Sequence, residues 1–72
     1  MRLIGYGDSV RPGVYRRHSA FEKAVNFTDG ERLVSLVAED VGRGPINLVF
    51  KDFNATLCRG PLKVRRTSLS VG

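Results

Sequence analysis

Phe27-Thr28-Asp29-Gly30-Glu31-Arg32-Leu33 is the stretch that decides the fold. Asp-Gly supplies the positive φ that tight hairpin turns require, and apolar segments stand on both sides of it. The stretch predicts an antiparallel pair, Phe21 to Phe27 against Leu33 to Ala38. Two registers are open. A two-residue loop, Asp29-Gly30, opposes Val25 to Val34 but also Phe27 to Arg32, mixing apolar with charged partners. A four-residue loop, Asp29 to Arg32, sets Phe27 beside Val34 and Val25 beside Leu36, gathers one apolar face, and is preferred. A helix from Ser19 competes. Ser19-Ala20-Phe21-Glu22 has the form of a capping box, and Phe21, Ala24, Val25 and Thr28 follow helical spacing. The Asp-Gly turn lies too close behind that segment for the helix to be preferred.

Working outward, Asp40-Val41-Gly42-Arg43-Gly44-Pro45 breaks any regular element and reads as a connecting loop. Ile46 to Phe50 then places Ile46, Leu48 and Phe50 on one face of a further strand. Asp52 or Asn54 is suited to cap a single helical turn in which Phe53 and Leu57 meet, ended by Gly60-Pro61. Leu62 to Val71 reads as a last strand whose apolar parity changes between Val64 and Leu69, as a bulge near Arg65-Arg66 or a loose tail would explain. In the other direction, Leu3 to Tyr6 and Val14 to Arg17 are candidate strands separated by Gly7-Asp8-Ser9 and Arg11-Pro12-Gly13. The sum is a mainly β domain: a small barrel or strongly bent antiparallel sheet of five or six short strands, with at most one short helix.

The 72 residues suit one domain, residues 1–72, and leave no room for a second core. At 42% apolar residues the chain can close that core, but burial and conformational entropy nearly cancel at this size, leaving roughly 3–5 kcal/mol. The only cysteine is Cys58, so no intramolecular disulfide is possible, and a reducing, cytoplasmic setting is expected. No apolar run approaches the ~20 residues of a membrane span, and the first residues lack the apolar stretch of a signal peptide, so no membrane association is expected.

The net charge is +5, and its placement says more than its total. Residues 1–20 carry Arg2, Arg11, Arg16 and Arg17 against Asp8. Residues 53–72 carry Arg59, Lys63, Arg65 and Arg66 against no acid. If the two ends pair in space, they build one basic face from Arg11, Arg16, Arg17, Arg59, Lys63, Arg65 and Arg66, with Tyr15 as an aromatic anchor. Such a face fits a larger protein with an acidic surface. Interleaved with Tyr6, Tyr15 and His18, it equally suits a phosphate backbone with rings stacking on bases.

Catalytic and metal chemistry find little footing. The single histidine, His18, would have to serve as base for Ser9, Ser19 or Cys58, and no Gly-x-Ser-x-Gly elbow is present. One histidine, one cysteine and scattered carboxylates give no zinc spacing and no calcium loop, so neither metal nor cofactor is expected. Gly42, Arg43 and Gly44 can present backbone N–H groups and a guanidinium to an anion, although the Lys-Ser/Thr ending of a phosphate-binding loop is absent.

Gly13-Val14-Tyr15-Arg16-Arg17-His18-Ser19-Ala20-Phe21-Glu22-Lys23-Ala24-Val25-Asn26-Phe27, then Arg32-Leu33-Val34-Ser35-Leu36-Val37, then Gly42-Arg43-Gly44-Pro45-Ile46-Asn47-Leu48-Val49 form a recognisable order. It resembles the N-terminal segment of the oxamate carbamoyltransferase subunit family of allantoin degradation. There an HS-x-F-x-x-A-V-N strand, a turn, an L-x-x-L strand and a G-x-G-P loop follow one another. The correspondence covers about half the chain. Family members are several times longer, and their glycine-rich G-L-T-P segment has no counterpart here. The resemblance implies an N-terminal β module without the catalytic body. It carries over His18, Ser19, Asn26, Gly42, Gly44 and Pro45, with no chemical role attached to any of them.

The expectation for function is a small basic binding module that docks onto a larger protein and is not catalytic alone. Three alternatives stand beside it: a nucleic-acid-binding β domain, the N-terminal module of a carbamoyltransferase-like subunit, and a phage-like or regulatory inhibitor of a large enzyme.

Overall fold

The computed structural model describes all residues 1–72. At its centre is the hairpin of β3 (Ala24–Thr28) and β4 (Leu33–Ala38), in the four-residue-loop register: Val25 lies opposite Leu36 and Phe27 opposite Val34. The turn is tied by its own side chains. Asp29 Oδ1 accepts from the amides of Glu31 (2.9 Å) and Arg32 (2.7 Å), the Thr28 hydroxyl donates to Arg32 O, and Gly30 takes φ +101°. Those amide bonds favour the ionised carboxylate and hold Asp29 below its ordinary 3.8.

No helix forms from Ser19. Instead β2 (Gly13–Ala20) runs antiparallel to β3 through a tight turn in which the Phe21 amide donates to Ala24 O. β3 therefore starts at Ala24, and Phe21, the expected first residue of the strand, sits in the turn, 61% exposed. His18 is the extra residue of a bulge between Arg17 and Ser19.

The remaining strands are β1 (Arg2–Tyr6), β5 (Asn47–Lys51), β6 (Leu62–Val64) and β7 (Leu69–Val71). All seven form one sheet curled into a half-barrel, in the order β1-β5-β4-β3-β2-β6-β7. The architecture is the expected bent, mainly β sheet, with two corrections in detail. First, Leu62 to Val71 is not one bulged strand but a hairpin, closed where Arg65 N donates to Ser68 O at 2.8 Å. The turn accounts for the parity change and raises the count to seven. Second, β4 and β5 are parallel, because residues 39–46 carry the chain back across the sheet before β5 begins. Every other pairing is antiparallel.

The inner face gathers Tyr15, Val25, Phe27, Val34, Leu36, Leu48, Phe50, Leu62 and Val64, with Val10 and Cys58 brought in from the connections. Leu48 and Phe50 enter this core from β5 as their alternation requires. A single 3₁₀ turn, Ala55–Leu57, follows β5. It is capped by Asn54, whose Oδ1 accepts from Thr56 N at 3.0 Å; Phe53 packs on the core while Leu57 stays 55% exposed.

Candidate functional site

β2 pairs with β6, Gly13 opposite Val64 and Tyr15 opposite Leu62, so the two basic ends of the chain do meet. Strand alternation then divides their charges. Val14 faces Lys63 across the pair, which puts Lys63 and Arg16 on the outer side of the sheet. Arg17, opposite Phe27, belongs to the inner side, where the core ends. Arg11 lies in the connection before β2 and donates to Asp8 O at 2.7 Å, and Arg65 and Arg66 are exposed in the β6–β7 turn. The expected single face is thus several separate basic surfaces.

Tyr15 is no anchor on any of them. It is fully buried among core side chains, with its hydroxyl donating to Arg11 O at 2.6 Å. On β2 an odd step from the outward Arg16 points inward, and the ring fills the space beneath β6.

One basic surface lies beside the 3₁₀ turn. Arg17 and Arg59 line one shallow recess of about 250 Å³ with Ala20, Ala55 and Thr56, and no carboxylate borders it. Arg59 Nε donates to Thr56 O at 3.1 Å, which steadies that side chain. Ala55 and Thr56 also border a neighbouring recess with Glu22, Lys23 and Phe53. Next in the chain to residues of these recesses, two large apolar side chains are exposed: Phe21, after Ala20 in the β2–β3 turn, and Leu57, after Thr56 at the end of the 3₁₀ turn. Sequence reasoning missed both. Phe21 reads as a strand residue by its spacing, and Leu57 reads as half of a helical pair; only the late start of β3 turns Phe21 outward. Lys23 is held in the chain's one ion pair, with Asp40, which keeps the lysine above and the aspartate below their ordinary values.

No family model matches the chain, and no curated protein or solved structure matches it either.

Other sequence candidates are placed as follows. His18 is exposed, with Nδ1 3.2 Å from Ser19 Oγ. Asn26 Nδ2 donates to the same oxygen at 3.1 Å, and Ser35 Oγ donates to Asn26 Oδ1 at 2.6 Å. This is a hydrogen-bonded row across β2, β3 and β4 that satisfies the half-buried Ser19 and Asn26 and the buried Ser35. No carboxylate orients His18, and none of the three recesses reaches His18 or Ser19. Cys58 is fully buried, and burial pushes its thiol up, away from the reactive thiolate. Gly42 takes φ +93°, and with Arg43 and Gly44 it lies in the β4–β5 connection, between the turns at 39–41 and 45–46. No helix is long and apolar enough to cross a membrane.

Proposed function

We propose that this chain is a non-catalytic binding module that docks onto an acidic surface of a larger protein. The observation that supports this reading best is the pairing of Arg17 and Arg59 around one carboxylate-free recess, with Phe21 and Leu57, the chain neighbours of its lining residues Ala20 and Thr56, left exposed. Arginine and aromatic side chains are the usual dominant anchors of interfaces. A guanidinium pair with apolar neighbours offers an acidic segment both charge and a surface to desolvate.

A nucleic-acid interface is the competing reading. Of the rings the sequence offered for stacking, Tyr15 is in the core and Tyr6 lies on β1, at the far end of the strand order from β6 and β7, which leaves Phe21 as the exposed ring nearest in the chain to Arg17.

The test is an affinity pull-down from lysate with the tagged chain, with and without nuclease, at low and moderate salt, beside Arg17→Glu and Arg59→Glu. The reading expects one stoichiometric protein that survives nuclease. Each reversal should weaken its recovery by about 30-fold, as loss of an interface hot spot does. Recovery of nucleic acid alone, released steeply by salt, would replace the reading with phosphate-backbone binding.

A further inference from the structure

We propose that the recess between the end of β1 and the β4–β5 connection binds a small zwitterion of amino-acid size, its carboxylate on Arg43 and its ammonium on Asp8. This site is separate from the Arg17–Arg59 surface and does not depend on it.

The recess holds about 340 Å³ and is bordered by Gly5, Gly7, Asp8, Arg43 and Gly44, with Val49 among its apolar walls. That volume is at the small end of ligand sites. Its frame is stiff. Asn47 N donates to Gly44 O (3.2 Å), which ties the β4–β5 connection to itself; Gly7 N donates to Asn47 O (2.9 Å) and Ser9 N to Pro45 O (2.8 Å), which bond the two bordering segments to each other. They also approach closely: a Cβ at Gly7 would stand 2.6 Å from Gly44 O and nearer still to Pro45 O. At Gly5 a Cβ would press on the Val49 side chain at 3.1 Å and meet the Arg43 guanidinium carbon at an ordinary contact distance of 3.7 Å, so Gly5 fits closely against the Val49 wall of the recess.

On this frame stand two opposite charges that do not meet. Arg43 makes one long hydrogen bond, Nη2 to Ile4 O at 3.3 Å, which leaves most of its five N–H donors unused. The Asp8 carboxylate accepts no hydrogen bond from the protein and belongs to no ion pair; only the backbone oxygen of Asp8 is engaged, by Arg11. The amides of Gly42, Arg43 and Gly44 likewise donate to no protein acceptor. A simple anion would meet Arg43 but also the repulsion of Asp8, and a simple cation the reverse. A molecule carrying both charges satisfies both walls, and Val49 offers its carbon chain an apolar surface.

Amide chemical shifts of the intact chain, titrated with glycine, β-alanine and γ-aminobutyrate and separately with acetate and ethylammonium, test the site. One member of the amino-acid series, set by the span between the two walls, is expected to shift the Gly5, Gly7 and Gly44 amides at about tenfold lower concentration than acetate or ethylammonium. Arg43→Gln and Asp8→Asn should each remove that advantage, and Arg66→Gln, outside the recess, should leave it intact. If acetate shifts these amides as strongly as the amino acids, or Asp8→Asn binds as the parent does, the two-charge site is wrong. The same holds if none of the probes shifts them at millimolar concentration.

Discussion

Replacing Tyr15 by Phe isolates a single hydroxyl in the middle of the fold. The ring is fully buried, and phenylalanine keeps its volume, so no cavity opens and the packing against β6 is retained. What is lost is the 2.6 Å bond to Arg11 O, the contact that ties the connection after β1 to β2. A net intramolecular hydrogen bond contributes about 0.5–1.5 kcal/mol. Arg11 is exposed, so water can reach its freed carbonyl, and the loss should fall near the middle of that range. In a domain of this size about 1 kcal/mol lowers Tm by roughly 4–8 °C, and it removes a quarter or so of a total near 3–5 kcal/mol. Thermal melting followed by far-ultraviolet circular dichroism reads the shift, with urea denaturation as the check on free energy. Binding to a captured partner should be unchanged, because no part of the ring reaches the surface. A Tm equal to that of the parent would refute the account of the hydroxyl. A partner affinity reduced as far as in Arg17→Glu would refute the account of Tyr15 as a core residue.

Three further outcomes follow from the geometry. Gly7→Ala drives a Cβ into the carbonyls of Gly44 and Pro45, which are backbone and cannot turn aside, so the urea midpoint should fall by an amount equivalent to about 1–3 kcal/mol; an unchanged midpoint would contradict the close approach. The depressed Asp29 carboxyl contributes stability above its ordinary value of 3.8 that is lost as pH falls through its lower folded value. The parent should therefore lose its advantage over Asp29→Ala in strong acid, and Tm measured against pH for both proteins would show a constant gap if the turn bonds were irrelevant. Cys58, buried and with its thiol pushed up, should resist iodoacetamide at neutral pH and react readily once urea unfolds the chain; rapid labelling of the native protein would place the sulfur at the surface.

The β architecture and the central register were legible because alternation and turn chemistry agree there. Phe27 pairs with Val34 and Val25 with Leu36 only when the loop has four residues, whereas a two-residue loop would set Phe27 opposite Arg32, and Asp29 has the side chain to tie the longer loop. The Arg65–Ser68 turn was hidden because Arg65, Arg66, Thr67 and Ser68 include no glycine, proline or asparagine to mark a reversal. The parallel pairing of β4 and β5 was hidden for another reason: the sequence marks residues 42–45 as a loop but not the direction in which that loop returns the chain. Charge was legible as a total and as two basic ends. Its division was not, since the side to which Arg16 or Arg17 points depends on the register of β2 against β6 and on the bulge at His18. The exposure of Phe21 and Leu57 had no signal in spacing at all.

The strand order also sets a sequence of events in folding. β2, β3 and β4 join neighbours through short turns, so this meander closes only small loops and can form early. β1 must wait for β5, Arg2 with Lys51, and β6 must return to β2, Val64 with Gly13, so both flanks of the sheet are stitched from opposite ends of the chain. Until those long loops close, Leu36 and Phe27 are covered by only part of their final surroundings. The molecule therefore matures from the middle outward, and the strands that complete it, β1 and β7, are the ones with a neighbour on one side only and the first to come away.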